Sequence, residues 1–326
     1  MNPLLSVSDL KVHFPLRREG LFGPVRTVKA VDGVSFDLPP GETLGIVGES
    51  GCGKSTLCRA VLRLVEPSAG KVVWLGSDLG ALHAEALRRE RRNMQIIFQD
   101  PLASLDPRMT VRRIVEEPLR NFPGAGTAET RQAKVVETIR LVGGHQHWLG
   151  RYPHEFSGGQ AQRIGIARAL VLEPKLLVCD EPVSALDVSV QAQIINLLMG
   201  LQQRLGLSYL FISHNLAVVR HISHRVMVLY LGKVMEIAER DDFYRRPLHP
   251  YSQALISAVP LPDPKLERAK PRVRAQGDLP SPIDPPSGCR FRTRCPKATA
   301  LCAEAEPPLK DYGGGHVAAC HYIEAG

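Results

Sequence analysis

Apolar and polar residues alternate along 7–14 and 28–38, the two-residue period of strands that bury one face. A Gly- and Arg-containing segment, 17–26, lies between them, so the pair reads as an antiparallel edge. Residues 43–47 are instead a continuous apolar run leading into a glycine-rich loop, after which Leu57, Ala60, Val61 and Leu64 recur at helical spacing. The pattern then predicts a helix over 160–170, a buried strand over 176–179, a helix over 189–205 and a strand over 209–213. Alternation of this kind builds a mostly parallel sheet covered by helices, so the fold class is α/β. Between about 100 and 157, Pro107, Pro118, Pro123 and Pro153 punctuate helical segments such as 128–142, which predicts an inserted, mainly helical subdomain. Beyond Ile237 prolines become frequent (Pro247, Pro250, Pro260, Pro262, Pro264, Pro271), as in a linker or extended wrap.

Composition refines this picture in three ways. At 326 residues, 44% hydrophobic and 23% charged, the chain is expected to form one large domain with an appendage. It has no run of 18 or more apolar residues, and its start lacks the basic flank and apolar stretch of a secretory signal, which predicts a location on the cytosolic side. The net charge of +8 admits nucleic acid, an anionic membrane face or nucleotide as partner. Arg88, Arg89, Arg91 and Arg92 carry part of it, but no aromatic residues interleave with them, so they read as a solvated helix face and nucleic acid is not expected.

Chemistry enters at Gly48-Glu49-Ser50-Gly51-Cys52-Gly53-Lys54-Ser55-Thr56, a complete G-x-x-x-x-G-K-S phosphate loop between a predicted strand and helix. Gly48, Gly51 and Gly53 let backbone amides curl around a β-phosphate, Lys54 reaches the β- and γ-phosphates, and Ser55 offers a hydroxyl to Mg2+. The apolar run at 176–179 ends in Asp180 and Glu181, at the end of the strand where open α/β sheets hold ligands. Asp180 can bind a water of the Mg2+ shell and Glu181 can face an attacking water. Phosphoanhydride hydrolysis needs neutralised charge and a positioned water. Gln99, following an apolar strand at 95–98, can contact both metal and water, and His214, ending the strand 210–213, can reach the γ-phosphate.

Together these residues resemble the ATP-binding cassette family: Gln99 matches its Q-loop, Phe156-Ser157-Gly158-Gly159-Gln160 its signature, Ser184-Ala185-Leu186-Asp187 its D-loop and His214 its switch histidine. The resemblance implies an α/β P-loop NTPase cassette over residues 1–238, with the antiparallel β edge and the helical subdomain, followed by an extension over 239–326. It implies ATP and Mg2+ as ligands and a head-to-tail pair of cassettes. In that pair the amides of Gly158 and Gly159, at a helix N-terminus, would meet the γ-phosphate held by the other cassette. Phe14 matches the family's adenine-stacking aromatic, with Phe22 as runner-up.

Residues 28–36, 99–110 and 249–255 resemble the oligopeptide and dipeptide importer ATPases, with 102–110 closest to the second of their two ATP-binding subunits. That implies an ATPase at the cytoplasmic face of the plasma membrane, partnered by a second ATP-binding subunit, two membrane permease subunits and an extracytoplasmic solute-binding protein. The implied cargo is a di- or oligopeptide, with nickel, glutathione or another small solute as the alternative. A soluble cassette acting on nucleic acid is the competing class, but it usually carries paired cassettes, a coiled coil or a zinc insertion. Three cysteines are scattered before residue 289, whereas Cys289, Cys295, Cys302 and Cys320 crowd the tail as C-x5-C-x6-C-x17-C. Four thiolates suit a 4Fe-4S cluster or Zn2+, and Arg290, Arg292, Arg294 and Lys297 could offset their charge. The tail resembles the iron-sulfur extension of some dipeptide-importer ATPases, which favours the cluster.

Overall fold

The computed structural model describes residues 3–16, 26–122, 126–260, 263–269, 273 and 275–323. The chain divides into two compact units, the first of residues 1–38, 43–80 and 213–326 and the second of 39–42 and 81–212.

In the first unit the strands Leu5–Pro15 and Thr27–Leu38 pair antiparallel, as their alternation predicts, from Leu5 opposite Leu38 to Pro15 opposite Thr27. The segment expected to join them, including Phe22, lies outside the described residues apart from Arg26. Ala69–Trp74 and Ser77–Asp78, which the hydropathy pattern does not single out, complete a four-stranded sheet. A second set of strands pairs in the order Lys310–Asp311, Val317–Ala318, Lys233–Glu239, Arg225–Tyr230 and Thr43–Val47. The last two are parallel, Leu44 facing Arg225 and Val47 facing Val228. All five residues of Thr43–Val47 are buried, which explains a continuous apolar run in place of alternation. Gly45 is required there, because a Cβ would lie 2.3 Å from Ser223 Oγ and 2.7 Å from Val219 Cγ1.

The second unit centres on the fully buried strand Leu176–Asp180, parallel to Met94–Ile97 on one side and Ser208–Ile212 on the other. Helices Gly158–Leu170 and Val188–Leu205 follow the predicted periodicity. So does Ala128–Leu141. Pro118 does not end its helix: Val111–Asn121 continues through it because Val111, Ile114, Val115 and Leu119 bury a common face. The same helix carries buried Glu116, whose carboxylate accepts from Arg120 at 2.9 Å and from Arg131 of Ala128–Leu141 at 3.2 Å.

The expected linker beyond Ile237 is corrected. The strand Lys233–Glu239 runs past it, and helices Arg240–Arg245 and Pro250–Ser257 follow, with Pro250 in the first turn, where a missing N–H costs nothing. Prolines here start elements as well as separate them. Tyr230, Tyr251 and Phe291 form a buried aromatic cluster, with centroids 4.7 Å apart for Tyr230–Tyr251 and 5.2 Å for Tyr251–Phe291. Buried Glu236 accepts from the backbone of Leu248 and His249 and pairs with His316 at 2.7 Å. The C-terminal residues are therefore part of the first unit's core.

Candidate nucleotide site

The phosphate loop leaves the buried strand Thr43–Val47 and enters the helix Lys54–Val61, the order that the sequence predicts. Two of its glycines are fixed by their surroundings. Gly48 has φ 153°, and a Cβ on it would sit 2.2 Å from the Leu229 carbonyl. Gly53 has φ 106°, and its Cβ would sit 2.0 Å from the Ala30 carbonyl. Both approaches are backbone against backbone, so no larger residue fits without moving a strand. Ser50 and Gly51 form the exposed crest, while Cys52 is buried beneath it, its thiol pushed up by burial. Lys54 is 5% exposed and folds back, its Nζ donating to the Gly48 carbonyl at 2.8 Å and the Glu49 carbonyl at 2.9 Å. Ser55 and Thr56 are half-buried in the first turn of the helix.

Other residues of the first unit bear on this loop. Ser213 donates its N–H to the Ile46 carbonyl, which sets exposed His214 beyond the end of the strand that feeds the loop. Phe14, 40% exposed, is the penultimate residue of the strand Leu5–Pro15. Glu49 is held from far along the chain: its N–H donates to Tyr251 Oη at 2.9 Å and its Oε2 accepts from Arg294 Nη1 at 2.7 Å. Sequence reading missed both contacts, and no local signal marks them, because the partners stand 202 and 245 positions away.

The second unit gathers Gln99, Asp180 and Glu181. Asp180 closes its strand at 3% exposure. Glu181 follows at φ 49°, a left-handed conformation uncommon for a side chain of this kind, and its N–H donates to the Ile212 carbonyl at 3.2 Å. Gln99 Nε2 donates to Glu181 Oε2 at 3.0 Å, so two residues 82 positions apart in sequence meet directly. Ser157 caps the helix Gly158–Leu170: its Oγ accepts from the Gln160 N–H at 3.4 Å, and Gln160 Oε1 accepts from the Ser157 N–H at 3.1 Å. Both glycines that follow face a close neighbour, with a Gly159 Cβ lying 2.4 Å from Val190 Cγ1 and a Gly158 Cβ 3.2 Å from Leu186 Cδ2. The sequence reading gave these glycines to amide exposure alone; close packing is a second reason for them. Asp187 is exposed at the N-cap of Val188–Leu205.

Residues 31–184 match the ABC transporter family, and 235–302 match the C-terminal region of oligopeptide/dipeptide transporters. The oligopeptide transport ATP-binding protein OppF of Salmonella typhimurium is 56% identical over 309 residues, covering 94% of this chain and 92% of that one. The chain belongs to the oligopeptide/dipeptide branch of the ABC transporter ATPases. The oligopeptide transport ATP-binding protein AppF of Bacillus subtilis is similar to this ABC ATPase at 54% identity, over 98% of this chain and 97% of that one. The dimeric, post-hydrolysis structure of the ATP-binding cassette MJ0796 bound to ADP and Pi covers 72% of this ABC ATPase and 98% of its own chain, at 27% identity and a TM-score of 0.64. CbiO1 from Clostridium perfringens, part of the ABC transporter complex CbiONQ, matches 76% of this chain and 92% of its own at 25% identity and a TM-score of 0.65.

In the tail of this ABC ATPase, Cys289 and Cys302 are buried and Cys295 and Cys320 half-buried. The Cys289 N–H donates to the Cys302 carbonyl at 2.8 Å. Burial pushes the Cys289 thiol up to about 11, and the nearby thiols of Cys302, Cys320 and Cys295 add to the shift. Among the described residues no group of three or more His, Cys, Asp or Glu side chains is arranged to hold a metal ion. No helix among them is long and apolar enough to cross a membrane.

Proposed function

We infer that this chain is the ATP-hydrolysing subunit that powers import of di- or oligopeptides through a membrane ABC transporter. The observation that carries this reading is 56% identity to an oligopeptide transport ATP-binding protein over 94% of the chain. Reconstitution with the second ATP-binding subunit, two permease subunits and an extracytoplasmic solute-binding protein tests it. ATP-dependent peptide uptake is the expected result; uptake of nickel or glutathione with none of peptide would replace the cargo.

The amides of residues 48–56 receive the phosphates, and Lys54 exchanges two carbonyl partners for the β- and γ-phosphates. The hydroxyl of Ser55, the carboxylate of Asp180 and the amide oxygen of Gln99 are hard oxygen donors, a set that fits Mg2+ directly or through water. Mg2+ when bound would supply charge neutralisation on the phosphates. Glu181 accepts the proton of the attacking water once Gln99 has turned its amide away, and His214 donates to the γ-phosphate. Phe14 stacks on the adenine. Ser157, Gly158, Gly159 and Gln160, with Asp187, face the ATP of a partner cassette, which we take to be a different ATP-binding subunit.

We place the cassette at residues 1–238 with its helical subdomain at about 100–157, and the extension at 239–326; the separate family match at 235–302 supports this boundary. The whole acts at the cytoplasmic face of the plasma membrane as a peripheral subunit. For the tail we propose a 4Fe-4S cluster on Cys289, Cys295, Cys302 and Cys320 in preference to Zn2+. Two buried nitrogens without a hydrogen-bond partner, Arg290 Nη1 and Arg294 Nε, stand on residues that flank Cys289 and Cys295, and they suit an anionic group. Bound there, a cluster would supply a covalent crosslink between distant parts of the tail. Iron and acid-labile sulfide with absorbance in the visible blue are expected on purification, and a colourless, zinc-loaded protein would overturn the assignment.

A further inference from the structure

Glu49 is the second residue of the phosphate loop, and it is fixed at three points. Its carbonyl accepts from Lys54 Nζ at 2.9 Å, its N–H donates to Tyr251 Oη at 2.9 Å, and its carboxylate binds Arg294 at 2.7 Å. Two of the three partners belong to the residues beyond 238. Neither is a loose surface contact: Tyr251 is 0% exposed and the Arg294 side chain 12% exposed. The guanidinium of Arg294 also lies 6.0 Å over the ring of Tyr230, within the aromatic cluster that holds Tyr251.

The backbone that presents Arg294 is equally constrained. It lies in a run of tight turns, Arg292 N–H to the Cys289 carbonyl at 3.1 Å and Arg294 N–H to the Phe291 carbonyl at 3.0 Å. Fully buried Phe291 plugs the aromatic cluster from inside that run, and Cys289 anchors its start on Cys302. Cys295 follows Arg294 directly. Any change that rearranges the cysteine turns therefore moves the guanidinium that holds Glu49.

We propose that Arg294 is a positioning residue for ATP binding, through which the cysteine-bearing extension sets the shape of the phosphate loop. It touches no phosphate itself. By fixing the Glu49 carboxylate it keeps the loop amides and the Glu49 carbonyl that parks Lys54 in one arrangement, so the loop is organised before nucleotide arrives. This rests on the reading of residues 48–56 as the ATP site.

The test is a double-mutant cycle on affinity for a non-hydrolysable ATP analogue with Mg2+, in the full chain, with Arg294→Met, Glu49→Gln and the pair. Each single change is expected to weaken binding about tenfold, which is about 1.4 kcal/mol, and the pair by no more than either alone. Arg294→Lys restores part of the loss, and kcat at saturating ATP stays within about twofold of the parent for Arg294→Met. A fall in the unfolding midpoint without nucleotide reports a merely structural role, so the cycle is read on affinity at a temperature where every variant is folded. Full affinity in Arg294→Met, or losses that simply add in the pair, would overturn the proposal. Lys54→Ala serves as the control: if it too keeps full affinity, the ATP-site reading fails, whereas its loss beside an intact Arg294→Met sinks only the coupling.

Discussion

Glu181, the general base proposed above, carries a backbone cost, since its φ of 49° is worth about 1–3 kcal/mol of strain that its surroundings must hold. The bond from Gln99 at 3.0 Å orients the carboxylate at the cost of occupying one oxygen. Glu181→Gln is expected to keep ATP binding while lowering turnover by at least about a hundredfold, the usual size of a lost general base. Parallel measurements of nucleotide affinity and phosphate release check this, and near-normal turnover removes Glu181 from the role. Gly159→Ala addresses packing at the same scale. Its Cβ would meet Val190 Cγ1 at 2.4 Å, a contact that real structures avoid, so a loss of about 1–3 kcal/mol in denaturant unfolding is expected. An unchanged midpoint would show that Val190 moves aside freely.

Among the elements, the helix Val111–Asn121 is the one that local preference would have broken. Pro118 lacks the N–H that would bond the carbonyl four residues back, and a proline inside a helix costs about 3 kcal/mol. Burial of four apolar side chains on one face outweighs that cost. Pro118→Ala should therefore raise the thermal midpoint, and a fall would mean that Pro118 contributes a contact worth more than the helix bond it forbids. The signature segment shows the opposite case, where local chemistry and fold agree. Ser157 and Gln160 close a reciprocal cap within four residues of sequence. The helix that follows was legible from its pattern alone, with the cap seen only in the structure, whereas the strand Ala69–Trp74 was not: three of its six residues are exposed and its apolar residues do not stand out.

Across the whole molecule, the residues beyond 238 matter most to the first unit, and His249 shows how. Burial lowers its pKa from 6.5 to about 4, and the neutral ring caps the helix Pro250–Ser257 by accepting the Tyr251 N–H at Nδ1. The unfolded chain binds the proton more readily, so this contribution is fully present above about pH 6.5 and is lost as pH falls towards 4. Up to about 3 kcal/mol is at stake by the usual conversion of pKa shifts. Unfolding by urea at pH 7 and pH 5 should show the parent losing stability over this interval, and His249→Asn, which keeps a capping acceptor, losing less. Equal losses would remove His249 from the effect. Local sequence determined the strand-loop-helix of the phosphate site, the buried strand ending in Asp180 and the capped signature helix, because each is encoded by residues within one element. Tertiary structure alone decided that Gln99 reaches Glu181, that Val190 requires a glycine at 159, and that Tyr251 and Arg294 hold Glu49. Those pairings join residues from about thirty to nearly 250 positions apart, and nothing in a local period of 2 or 3.6 residues carries information over such a separation.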